Sequence, residues 1–353
     1  MNSIKVIRVF LVLAFFGCIT INLSAQNKKF DFTKLEPVVQ VFGTAYFNVE
    51  NNNLNYGIGR AHLGFKYEFN DEWSAKIILD RGRPTSVGEI FVSDSSGNLL
   101  DVYNTSKEGA YYSMFLKFAS LQWIVNEKLR IQGGAILQNH YITQERFWGL
   151  RYVAQTFQDL YWHIPSSDLG FIAYYKFNSV FSIDAAITNG EGPRVNQDSF
   201  GDLKYAAGLD ISPVNGLQTR LYYHNRQSSF NDAVCEQLFS AFAGYKFQKD
   251  LKLGGEFNYL LNVNNVNDLD SYGYSVFAIY SINSTFDVFA RFDQLFYNQP
   301  EIFTSEKYFD GNAFKGGLSY SPINKVHLSL NYQTLLQAKR NNNQILFSME
   351  FKL

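Results

Sequence analysis

The C-terminal stretch Asn343 to Leu353 places Gln344, Ser348, Glu350 and Lys352 on one parity and Ile345, Phe347, Met349, Phe351 and Leu353 on the other. Successive side chains of an extended chain point to opposite faces, so this segment is polar on one side and apolar on the other. The same period sets Arg60, His62, Gly64, Lys66 and Glu68 against Ala61, Leu63, Phe65, Tyr67 and Phe69. It continues in Ser74, Lys76, Ile78 and Asp80 against Ala75, Ile77 and Leu79. Sixteen segments of this kind can be cut: 37–49, 56–69, 72–82, 111–124, 128–138, 167–177, 179–189, 203–213, 217–227, 234–248, 251–263, 272–281, 284–295, 313–322, 325–335 and 343–353.

One such segment could be the half-buried strand of a soluble sandwich. The connections argue otherwise, because they alternate in length. Asn70-Asp71, Asn126-Glu127, Asn178, Pro213–Gly216, Lys249-Asp250, Ile282-Asn283 and Pro322–Asn324 are short, whereas 83–110, 139–166, 190–202, 228–233, 264–271 and 296–312 are mostly longer. A transmembrane barrel has short periplasmic turns and long external loops, and a sandwich has no reason to sort them. Hydrocarbon satisfies no exposed N–H or C=O, so the sheet must close, with the last segment pairing antiparallel to the strand near Val38–Val49. The expected fold class is all-β, a transmembrane antiparallel β-barrel of about sixteen strands with one long loop folding inward. The expected organisation is a signal peptide over 1–25, a short periplasmic segment over 26–36 and a single barrel domain over 37–353.

Composition agrees. Charged residues are 18% of the chain, against about 25% in an average soluble domain, and aromatics are 17%. Part of the outer surface is therefore expected to face outer-membrane lipids. A net charge of -1 supplies no basic excess for nucleic acid. The histidines His62, His140, His163, His224 and His327 are scattered without metal-ligand spacing, and Ser113 and Ser120 have no Ser-His-acid context. No enzyme activity, cofactor or metal is expected.

Lys5 and Arg8 precede the apolar run Val9 to Ile21, and Leu23-Ser24-Ala25 reads as a cleavage site before Gln26. A retained anchor, or lipoprotein processing at Cys18, is the alternative. Cleavage after Ala25 leaves Cys235 alone, so no intrachain disulfide can staple the mature protein.

The parity places Arg60, Lys66, Lys76, Lys117, Arg130, Lys204, Arg220, Lys246, Lys252, Arg291 and Lys315 inside. Glu68, Asp80, Asp184, Asp210, Glu236, Glu256, Asp287 and Asp293 alternate with them. Ionised groups do not sit unpaired in a dry interior, so the lumen is a wet channel or a polar plugged one. Passage of small hydrophilic solutes or ions, with a weak anion preference, is the expectation. A non-conducting barrel acting as a structural or interaction component of the envelope is the alternative.

The segment 144–159, QERFWGLRYVAQTFQD, breaks the pattern. Phe147, Leu150, Ala154, Phe157 and Tyr161 recur at helical spacing, predicting an amphipathic helix packed against the barrel wall. Arg146 and Arg151 of this loop, with Arg60 of the wall, are the candidate constriction residues, since a guanidinium can hold a carboxylate or phosphate through two hydrogen bonds.

Tyr56 to Asp80, with a basic residue before a Leu-Gly-aromatic strand, a short polar turn and Trp-Ser, resembles the early hairpin of porins of the phosphate-selective O and P type. Leu137 to Asn189 resembles that family too, through Glu145-Arg146, Gly149-Leu150-Arg151-Tyr152, Asp168-Leu169-Gly170 and the closing Thr188-Asn189-Gly190-Glu191-Gly192. The resemblance implies a passive outer-membrane diffusion channel of a Bacteroidetes-type envelope, often a homotrimer, with Arg60 on the lumenal wall and Arg146 and Arg151 in or beside the constriction loop. The inward cations here alternate with carboxylates instead of forming a dense arginine ladder, and Leu353 stands where the family ends in Phe. Phosphate as the solute does not follow.

Overall fold

The computed structural model describes residues 31–82, 92–93, 99–100, 113–193, 201–229, 233–248, 250–299, 310–337 and 340–353. The expected signal peptide lies outside them, as do large parts of the loops 83–110 and 296–312.

Within the unit Lys34–Leu353, sixteen strands hydrogen-bond edge to edge into one closed antiparallel barrel. They are β1 (Leu35–Asn48), β2 (Asn53–Glu68), β3 (Trp73–Gly82), β4 (Ser113–Ile124), β5 (Leu129–Leu137), β6 (Ser167–Lys176), β7 (Phe181–Thr188) and β8 (Lys204–Ile211). The second half comprises β9 (Leu217–Arg226), β10 (Glu236–Phe247), β11 (Leu251–Leu261), β12 (Asp270–Ser281), β13 (Phe286–Asn298), β14 (Gly311–Ile323), β15 (Val326–Gln337) and β16 (Arg340–Lys352). β16 closes on β1, with Val41 opposite Phe351 and Phe47 opposite Ile345. A small hairpin, Val92–Ser93 with Leu99–Leu100, lies in the connection after β3.

The alternation sorts as expected. Leu63, Phe65, Ile77, Phe171, Leu330 and Phe347 are exposed on the outer wall, while Ser348, Asp293, Asn258 and Ser271 are buried on the inner one. An outside that is apolar and an inside that is polar invert the order of a soluble protein, and a bilayer is the solvent that stabilises it. Aromatic pairs mark both rims. Stacked Trp73 and Trp123, with Tyr175–Phe177, Tyr245–Phe247 and Phe286–Tyr320, ring the short-turn end. Tyr223–Phe239 and Tyr272–Phe296 lie toward the long-loop end.

Four of the short turns share one chemistry. Asn70, Asn126, Asn178 and Asn283 each accept, through the side-chain carbonyl, the backbone N–H groups two and three residues on. This Asx turn replaces a backbone turn at little steric cost.

Two bulges re-aim residues that matter below. At Gly59 the register between β1 and β2 shifts, so Arg60 faces Phe42 and the lumen while Ile58 and Tyr56 face outward. In β4 the partners of Ile78 and Leu79 are Phe118 and Leu116, which leaves Lys117 as the extra residue. Lys117 and Phe118 both point inward as a result.

The lipid-facing assignment predicts a depth-dependent cost. Leu330→Arg in mid-strand is expected to destabilise by about 2–4 kcal/mol, and Ile323→Arg at the rim by about 0–1 kcal/mol. Reversible urea unfolding in phospholipid vesicles measures both.

Candidate functional site: the inserted loop and the lumenal clefts

The connection between β5 and β6 turns into the lumen. Its sequence does not form the single helix that the spacing predicts. It forms two short ones, α1 (Ile142–Trp148) and α2 (Phe157–Tyr161). The break is at Gly149, which ends α1 in the left-handed conformation with φ 73°, where a side chain would be strained. The Trp148 indole N–H then donates to the Ala154 carbonyl at 3.1 Å and closes the turn between the helices. Phe147, Leu150, Ala154 and Phe157 are all buried, so the apolar stripe meets the wall as expected through a different backbone path.

Glycines supply the sockets. A Cβ at Gly244 would lie 2.7 Å from the Phe147 ring, and one at Gly273 would strike the ring of Phe157. Phe147 also packs edge-on to Phe242 at 5.6 Å, and Trp148 meets Phe277 at 4.9 Å and Phe289 at 6.0 Å. Gly244 thus serves the loop, while at Gly273 the Gln294 carbonyl of β13 is as close as the ring, so that glycine admits both the neighbouring strand and the loop.

Polar anchors run strand by strand along one side of the lumen. Asn139 donates to Asp184 of β7, and the Thr143 hydroxyl donates to Asp210 of β8 at 2.5 Å. Arg220 of β9 donates to the Asn139 carbonyl at 2.7 Å and pairs with Asp184 at 2.8 Å and Asp210 at 2.6 Å. Gln158 donates to Ser240 of β10 and Asn258 of β11, and Glu256 of β11 accepts the Phe157 N–H. Trp162 donates to Ser271 of β12. On β13, Arg291 donates to the Gln155 carbonyl and Asp293 accepts the Tyr161 hydroxyl. Tyr152 meets Ser319 of β14, and Gln333 of β15 donates to the Val153 carbonyl.

A salt bridge splints the loop. Arg151 binds Glu145 of α1 at 2.6 Å and Asp159 of α2 at 2.7 Å. Burial, the main cause, pushes the Tyr152 phenol up to about 12 and raises Tyr161 and Tyr141 as well. Burial also holds His140, at the root of the loop, well below the ordinary imidazole range, with Lys204 adding to the effect. These four groups remain uncharged near neutrality.

The loop is anchored on β7 to β15 and, among the described residues, does not cover the side formed by β1 to β4. A cleft of about 790 Å³ lies there, lined by Phe42, Thr44, Arg60, Asp80, Lys117 and Arg151 among others. Lys117 pairs with Asp80 at 2.6 Å. Arg60 lies 4.7 Å over the Phe42 ring, donates to Gln40 at 3.1 Å and forms no ion pair among the described residues.

The structure thus brings Arg60, Lys117, Asp80 and Arg151 to one cleft. Arg146 is exposed on the other side of the loop, where it lines two clefts toward the short-turn end, one of them with Arg130 and Tyr174. Arg220, Arg291 and Asp184 point inward but lie beneath the loop. Lys66 and Lys76 sit near the short-turn ends of β2 and β3, Lys66 paired with Glu68 at 2.6 Å and Lys76 lying 4.5 Å over Phe118. Sequence reasoning did not find Asn139, Tyr152, Gln158 or Gln333 as anchors. Inward parity was the signal for Gln333, and only the folded path of the loop reveals the rest.

A closed sixteen-strand barrel with one connection folded into its lumen is the architecture of bacterial porins. No family model and no curated protein matches the chain. Solved structures do. OmpF of Salmonella typhi in complex with daunomycin aligns with TM-score 0.65 at 11% identity, over 90% of this chain and 97% of that one. An anion-selective porin from Comamonas acidovorans aligns with TM-score 0.62 at 11% identity, over 90% and 99%. The outer-membrane channel DcaP of Acinetobacter baumannii aligns with TM-score 0.60 at 12% identity, over 90% and 97%. At such identities the likeness is one of fold.

Two substitutions test the seating of the loop. Arg220→Met strips Asp184 and Asp210 of their shared cation and is expected to cost about 3–5 kcal/mol in equilibrium unfolding. Gly244→Val fills the socket of Phe147 and is expected to cost about 1–3 kcal/mol, with faster proteolysis within 139–166.

Proposed function

We propose that this protein is an outer-membrane porin for passive diffusion of small hydrophilic solutes or ions. The open cleft between the inserted loop and β1 to β4 is the observation that carries this reading. Its lining mixes Thr44, Gln155 and Gln333 with charged groups and with Phe42 and Phe115, so a solute can exchange water for protein hydrogen bonds as it passes. The barrel wall supplies the aperture, and among the described residues the inserted loop narrows it without filling it.

A weak anion preference is the finer reading. Arg60, Lys117 and Arg151 are balanced in number by Asp80, Glu145 and Asp159, but Arg60 alone among the six forms no ion pair among the described residues, so its guanidinium stays available to a solute in the cleft. Kinship with the phosphate-selective O and P type rests on Tyr56–Asp80 and Leu137–Asn189, the segments that build the β2–β3 hairpin and the inserted loop with its flanking strands. A homotrimer is the assembly we favour; the OmpT barrel of Vibrio cholerae, of similar fold, is described in a trimer form.

Planar-bilayer recording of the purified protein is expected to give steady open-channel current. Absence of current from correctly inserted protein favours the non-conducting envelope component instead. Arg60→Gln is expected to lower the anion-to-cation permeability ratio by about two- to threefold, the effect of roughly one kT of local potential. An unchanged reversal potential in a salt gradient removes Arg60 from the selectivity argument.

A further inference from the structure

Four pairs of cations face each other across neighbouring strands among the described residues: Lys66 and Lys76, Lys204 and Arg226, Arg291 and Lys315, and Lys246 and Lys252. Like charges set directly opposite in a sheet repel and destabilise it. Carboxylates relieve three of these pairs. Asp293 reaches Arg291 at 2.7 Å and Lys315 at 2.5 Å. Glu68 holds Lys66 at 2.6 Å, Asp168 lies 3.7 Å from Lys204 and Glu236 lies 3.0 Å from Arg226. Lys246 of β10 and Lys252 of β11 have no such partner: neither forms an ion pair among the described residues.

A third cation joins them. Arg146 of α1 lines the same cleft of about 550 Å³, near the short-turn end of the barrel, together with Thr143, Ser182 and Gln218. Arg146 also forms no ion pair among the described residues. Asp210 is the one carboxylate of the lining, and Arg220 at 2.6 Å and the Thr143 hydroxyl already engage it. The Lys252 ammonium lies against the end of α1, 3.9 Å from where a Cβ on Gly149 would stand. Loop and wall therefore meet here with three positive charges that no carboxylate pairs among the described residues: Asp210 is held by Arg220 and Thr143, and Asp287, bonded by the Ser281 hydroxyl, acts on Lys252 without forming an ion pair. Arg220, Arg291 and Arg151, by contrast, each meet a carboxylate along the loop.

We propose that this cleft binds a compact divalent oxyanion, of the sulfate or phosphate kind, as a stationary ligand that latches α1 to β10 and β11. The anion occupies the role that Asp293 fills between Arg291 and Lys315. Arg146 offers it a planar fork, the two lysines supply point charges from the wall, and Ser182 and Gln218 fall within the same lining to complete its hydrogen bonds. The site is separate from the cleft beside Arg60, on the opposite side of the loop. Bound anion would hold the loop against the wall and leave the passage beside β1 to β4 free.

The full chain in detergent micelles tests this by thermal melting in sodium sulfate against sodium chloride at equal ionic strength, with hydrogen exchange of amides 142–149 followed in parallel. Sulfate at several times its dissociation constant is expected to raise the melting temperature by about 2–4 °C and to slow exchange in α1. Sulfate also stabilises proteins by exclusion from their surfaces, so variants decide. Lys252→Glu supplies the missing carboxylate, and it should melt higher than wild type in chloride and lose the specific sulfate increment. If that variant does not fold, the double variant Lys246→Gln with Lys252→Gln should fold and also lose the increment. Equal melting of wild type in both salts, or a full sulfate increment in the double variant, overturns the latch. Neither result bears on bilayer conductance in chloride, so the porin reading stands or falls by its own measurement.

Discussion

The closure of β16 onto β1 is the constraint on which the rest depends. Water satisfies the free N–H and C=O groups at the edge of a soluble sheet, and a bilayer core does not. Pairing Gln40 through Asn48 with Lys352 through Gln344 removes the last open edge. Once the sheet is a closed ring, every second residue is committed to the lumen, and the pattern of polar and apolar side chains becomes a pattern of inside and outside.

A ring of sixteen strands leaves more interior than its wall side chains can fill. The chain resolves this with the connection between β5 and β6, which occupies the half of the lumen bounded by β7 to β15. Apolar contacts seat it, with Phe147 on Gly244 and Phe157 on Gly273. Buried ions orient it, because Arg220 and Arg291 each bond a loop carbonyl while paired with wall carboxylates. Such pairs add little net stability once desolvation is counted, but removing one partner is costly, so they fix one position of the loop over its alternatives.

The charge arrangement follows from this geometry. Cations beneath the loop are neutralised by acids on their own or nearby strands, as in the set built on Asp293 and the pairing of Arg220 with Asp210 of β8 and Asp184 of β7. Cations that keep spare charge lie where solvent reaches, Arg60 in the open cleft and Arg146, Lys246 and Lys252 toward the short turns. Inward charge is thus divided between a structural set and an available set, and only the second can act on a solute or ion.

The sequence by itself determined the strands, their number, the face side chains take outside the bulges at Gly59 and Lys117, and the sorting of short turns from long loops. Period two and turn chemistry are local, and residues such as Phe347, Ser348 and Met349 declare their faces without reference to the rest of the chain. It also marked 144–159 as foreign to the pattern and its apolar residues as wall-seeking. Only the tertiary structure decided that Gly149 splits this segment into two helices, that Arg151 is splinted between Glu145 and Asp159, and that Arg146 turns away from Arg60. Those outcomes depend on which inward residues of distant strands meet the loop. Parity assigns a side chain to the lumen, but the partner it finds there is set by the closed shape of the barrel.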